Sequence, residues 1–119
     1  MSLPEVNKLV GYLQSRIEAE IEAERLHDSL GRGIDIIDLR DAADFEKGHV
    51  PGARHMTLAG LDKDSAGFKR GREIVLYGAD GDSMVALRGV FKLATRGFVA
   101  RELRGGFVVW MRHGFPMEA

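Results

Sequence analysis

Two short apolar runs constrain this chain most. Ile34–Leu39 reads IDIIDL and Ile74–Tyr77 reads IVLY, both rich in β-branched residues and apolar almost throughout. A strand with one wet face alternates apolar and polar residues, whereas near-continuous apolarity suits a strand covered on both faces, as in a parallel sheet. Parallel neighbours need crossovers, and helical patterns occupy the intervals between strands, so an α/β architecture with right-handed connections is expected. At 119 residues the chain can bury one core and is too short for two ordinary ones.

The second run leads into Gly78, Ala79, Asp80, Gly81, Asp82 and Ser83, then into a helical pattern expected over Asp82–Thr95. Ligands and nucleophiles of α/β proteins are usually placed on such a loop, where a buried strand ends and a helix begins. Asp80 or Asp82 is expected to cap that helix through its carboxylate. The face expected to pack carries Met84, Leu87, Phe91 and Ala94, and Gly89 in the helix interior implies close approach of another backbone. Shorter extended pieces are expected at Ile21, Arg54–Leu58 and Val99–Leu103. A small helix should end at Gly31 or Gly33, Asp41 can cap a turn anchored by Phe45, and FVVWMRHG forms a last helix closed by Gly114 and Pro116. Asp62–Arg72 is polar and locally basic; a solvated linker is expected there, with a surface for an acidic partner as the alternative.

The N-terminus carries its own helix signals. Ser2 and Glu5 have capping-box spacing, Pro4 lies in the first turn, and Val6, Leu9, Val10, Leu13 and Ile17 make one apolar stripe. The organisation expected is a helical extension over residues 1–18 followed by a domain over 19–119. The stripe has two uses open to it, packing on its own domain or self-association with a second copy.

Composition removes several function classes. Lys and Arg number 17 against 18 Asp and Glu, so no global field recruits nucleic acid or an anionic membrane. Cysteine is absent, which removes disulfides, thiolate catalysis and thiolate metal ligands together. The four histidines, His27, His49, His55 and His113, lack metal-site spacing, and neither a metal nor a cofactor is expected. With no apolar run of membrane-spanning length and no signal-peptide pattern, a soluble, cytoplasmic protein is expected.

In this order and spacing, IDIIDLRDAADFEKGHVPGA, the IVLY strand with its loop, and LRGGFVVWMRHGFP resemble the rhodanese homology domain, the fold of thiosulfate sulfurtransferases and a related group of phosphatases. The resemblance spans about Ile21 to Pro116. It implies a three-layer fold with a central, mostly parallel five-stranded sheet flanked by helices, and an active loop after the fourth strand. Asp38, Arg40, His49, Gly105 and Gly106 match family scaffold positions. Active members carry Cys-x-x-Gly-x-Arg in the loop. Here Gly78 stands where the cysteine belongs and Ser83 where the arginine belongs, with Gly81 alone matching.

Sulfur transfer in that family needs a thiolate that attacks the donor and holds a persulfide, with amides and cations stabilising the charge. Gly78 has no side chain for this. Asp80 and Asp82 add an obstacle, since a carboxylate about 5 Å from a monoanion costs it about 3 kcal/mol at an effective dielectric near 20. No catalytic residue is therefore expected, and the leading expectation is an inactive rhodanese-like domain that binds or organises a protein or small-molecule ligand. The alternative is a hydrolase-like enzyme built on Asp80, Asp82 and Ser83, although the loop lacks a Gly-x-Ser-x-Gly elbow.

Overall fold

The structure is a computed structural model, and residues 1–64 and 67–119 are described, Asp64 by its backbone alone. In chain order the elements are α1 (Leu3–Glu18), β1 (Glu20–Ile21), α2 (Ala23–Ser29), β2 (Asp35–Asp38), α3 (Ala42–Lys47), β3 (Arg54–His55), α4 (Leu58–Asp64), β4 (Ile74–Tyr77), α5 (Val85–Ala94), β5 (Ala100–Leu103) and α6 (Gly106–Arg112). The five strands form one sheet in the order β1-β5-β4-β2-β3, every neighbouring pair parallel. The two apolar runs are thus the central pair, in register from Asp35 beside Ile74 to Asp38 beside Tyr77.

Successive side chains of a strand point to opposite faces, which divides the core in two. Val75 and Tyr77 face α2 and α6, packing with Leu26, Phe107 and Trp110. Ile74 and Leu76 face α4 and α5, packing with Leu61, Val90 and Leu93. All four β4 side chains are fully buried, which is what their unbroken apolarity requires.

Several local expectations need correction. The α5 helix starts at Val85, not Asp82, and its N-cap Met84 makes no side-chain cap bond. Its buried face is Ala86, Gly89, Val90 and Leu93, so the Met84, Leu87, Phe91, Ala94 face points away from the core. The sequence presents two apolar faces on this helix and only packing chooses between them. Gly89 is approached by side chains and not by backbone: a Cβ there would lie 2.9 Å from Leu76 Cδ2 and 3.0 Å from Leu39 Cδ1. Only Arg54–His55 of the expected Arg54–Leu58 strand is extended, and Leu58 begins α4. That helix takes the first part of the expected Asp62–Arg72 linker, of which residues 65 and 66 lie outside the described residues. Asp41 is the N-cap of α3 without a side-chain bond, and Phe45 is half-buried.

Helix α1 forms as its capping box predicts, with Ser2 Oγ accepting from Glu5 N and donating to Glu5 Oε1. None of its residues is buried. The apolar stripe therefore does not serve its own domain's core. Among the described residues no helix is long and apolar enough to cross a membrane.

Candidate functional site

The loop from Gly78 to Ser83 leaves the end of β4 between β5, α5 and α6. Its position is fixed from one side by α6. Phe107 N donates to Gly78 O at 2.9 Å and Val108 N to Ala79 O at 3.0 Å, so amides of the first turn of α6, which have no partner within their own helix, hold the loop's carbonyls. This contact is close enough to dictate residue type. Gly106 has φ +71, and a Cβ on it would lie 2.7 Å from Asp80 N. The paired glycines Gly105 and Gly106 thus let the last helix begin against the loop backbone.

From within, the loop is closed by its own aspartate. Asp80 Oδ1 accepts from Asp82 N and Ser83 N, each at 3.0 Å. The expected cap is therefore made to the loop and not to α5, and it consumes two amides that an anion would otherwise use. The exposed Asp82 carboxylate has no hydrogen-bond partner among the described residues, while Ser83 Oγ accepts a long 3.4 Å bond from Val85 N. No histidine hydrogen-bonds Ser83 among the described residues, so the hydrolase alternative lacks a base in contact with its nucleophile.

The space a nucleophile would use is already filled. A Cβ on the buried Gly78 would lie 2.7 Å from Val85 Cγ1 and 2.9 Å from Ser83 Oγ. Beyond it the cavity is about 40 Å³, lined by Asp80, Gly81, Ser83, Glu102 and Gly105 among others. That is about the room of one or two waters.

Acidic residues at this cavity come from outside the loop too, which sequence reasoning missed. Glu102 on β5 is 9% exposed, and its Oε1 has no hydrogen-bond partner among the described residues. Arg16 Nη2 of α1 approaches it only to 3.9 Å. Burial, then the charge of Glu20, pushes the Glu102 carboxyl above its ordinary value, opposed by Arg16. The only signal in the sequence was a glutamate inside an otherwise plausible strand, AREL.

Of the scaffold positions, Gly105 and Gly106 lie at this loop, while Asp38, Arg40 and His49 gather at the end of β2 and the Gly48 loop. Asp38 is fully buried and takes the Arg40 side chain in a fork, Nη2 to Oδ2 at 2.8 Å and Nε to both oxygens. Arg40 also donates to Gly48 O and lies 3.8 Å above the Phe107 ring. Its guanidinium, with Nε and Nη2 bonded and one face covered, ties β2, the Gly48 loop and α6 together. His49 stacks on Phe45 at 3.8 Å, with Nδ1 2.9 Å from Phe45 O. Tyr77 Oη accepts from Val50 N, and burial beside Asp38 raises its phenol far above the usual range. Asp38, Arg40 and His49 are thus joined to structure on several sides.

Comparison with known proteins fits this geometry. The family model for the rhodanese-like domain matches residues 22–113. The chain belongs to the rhodanese-like family. A sulfurtransferase of Allochromatium vinosum is 26% identical over 105 residues, covering 88% of this chain and 95% of its own. The thiosulfate sulfurtransferase GlpE of Stutzerimonas stutzeri is 29% identical over 99 residues, covering 82% and 88%. Among solved structures, a Lactobacillus plantarum protein superposes with a TM-score of 0.84 at 21% identity, over 95% of this chain and 98% of its own. The rhodanese-like domain of an Anabaena protein gives 0.73 at 30% identity, over 85% and 79%. This rhodanese-like chain has no cysteine anywhere.

Proposed function

We propose that this rhodanese-like domain is non-catalytic and works by binding or organising a partner. The observation that carries the reading is at Gly78: the chain has no thiol, and Val85 and Ser83 occupy the volume where a side chain would begin. Three further features point the same way. The amides of Asp82 and Ser83 are engaged by Asp80, the remaining cavity is water-sized, and the arginines that line it, Arg16 and Arg104, already face the carboxylates of Glu20, Glu22 and Glu102.

The test is direct. Purified protein incubated with thiosulfate and cyanide should form no more thiocyanate than a heat-killed control. Turnover well above that control would sink the reading.

A further inference from the structure

We propose that the chain is a two-fold homodimer in which helix α1 of each copy seats its apolar stripe in the groove between α1 and α5 of the other. The stripe and the groove are separate surfaces of one molecule; the stripe takes no part in the core, and the groove meets it only at Val90 on its floor. On the stripe, Val6, Leu9, Val10, Leu13 and Ile17 are 37% to 69% exposed. The groove is about 610 Å³ and lies between Tyr12 and Arg16 of α1 and Leu87, Phe91 and Ala94 of α5. Its α5 wall is the second apolar face of that helix, with Phe91 70% exposed.

Helix energetics require an occupant. An isolated helix of about 12–15 residues is marginal in water. Helix α1 is little longer at 16 residues and carries Gly11 in its interior, where a Cβ would meet nothing within 4 Å. Such a glycine costs roughly 1 kcal/mol against alanine with no packing to offset it. Burying the stripe supplies what the isolated helix lacks.

Three observations select a second copy. The first is self-complementarity, since a ridge and a groove of the same chemistry on one chain close under a two-fold axis with both filled. The second is area. A helix about 24 Å long and about 10 Å wide covers about 240 Å² in projection, and reciprocal seating brings that to about 480 Å² per copy, about three-fifths of the roughly 800 Å² per partner in a standard interface and of the scale of a reversible dimer. The third is charge. Arg88 on the groove wall is exposed and has no carboxylate within 4 Å among the described residues, while Glu5 borders the stripe one helical turn before Leu9. A membrane surface fits less well, because α1 carries only Lys8 and Arg16 against Glu5 and Glu18, without the cationic face of an interfacial helix.

The experiment is sedimentation equilibrium of the full chain at micromolar concentration, beside a stripe variant, Leu9→Ser with Leu13→Ser, and a groove variant, Phe91→Ser. None of these side chains is buried, so folding is not at stake, and the fluorescence of the fully buried Trp110 provides the check. The parent should weigh twice the 13.1 kDa chain. Each variant should self-associate at least about tenfold more weakly. An equimolar mixture of the two variants should regain dimer, because one intact stripe meets one intact groove. A monomeric parent, a dimer indifferent to Phe91→Ser, mass growing beyond two copies, or a mixture that fails to pair would each overturn the proposal.

Discussion

At the scale of single residues, Gly78 decides most. Restoring the family's nucleophile with Gly78→Cys should not restore sulfur transfer, because the new Cβ meets Val85 and Ser83 inside ordinary contact distance. Overpacking of this kind typically costs about 1–3 kcal/mol. The expected outcome is a lower urea midpoint and thiocyanate formation equal to that of Gly78→Ala; turnover near that of an active family member would refute it. Glu102 gives a second prediction with a defined sign. Its folded carboxyl is raised above the ordinary 4.5, so the native state holds that proton more tightly than the unfolded chain does. The stability contribution is full below about 4.5 and is lost as pH rises through the folded value. Glu102→Gln should therefore be more stable than the parent at neutral pH, the two converging toward pH 4, which urea titrations across that range would reveal. A constant gap at all pH values would show that packing, not ionisation, controls the site.

Elements couple through close contacts that periodicity alone does not specify. Helix α5 meets the sheet at Gly89, and alanine there gains up to about 1 kcal/mol of helix propensity. Against this stand the fully buried Leu76 and Leu61 and the nearby Leu39, whose methyls would have to give way in a close-packed layer. A net loss of about 1 kcal/mol is expected for Gly89→Ala in chemical denaturation, and a stabilised variant would mean that these leucines repack freely. Strands β2 and β4, by contrast, were legible because near-continuous, β-branched apolar runs of this length suit a buried parallel strand. The face of α5 was not. Both of its stripes are apolar, and the choice depended on which small residues, Ala86 and Gly89, allow approach to the sheet. The loop cap was half legible: an aspartate at that turn was expected to bind amides, but the helix begins later, so Asp80 closes the loop itself.

For the whole molecule, the proposed division into a helical extension over residues 1–18 and a domain over 19–119 predicts the outcome of truncation. Helix α1 buries no residue, and β1 keeps its pairing to β5 through Glu20 and Ile21. A chain starting at residue 19 should fold at high dilution with unchanged near-ultraviolet dichroism and with stability within about 1 kcal/mol of the parent, since surface changes of this kind are small. Loss of cooperative unfolding would show that α1 belongs to the domain.

The amino-acid sequence by itself determined the α/β class, the family and the missing thiol, because these depend on residue identity and on short β-branched apolar runs, alternating with helical patterns, that suit a doubly covered parallel sheet. Only the tertiary structure decided what Gly78 makes room for, that Glu102 faces the loop's small cavity, and that α1 and one face of α5 are left uncovered. Those outcomes depend on distances between segments far apart in the chain, and no local pattern of residues encodes them.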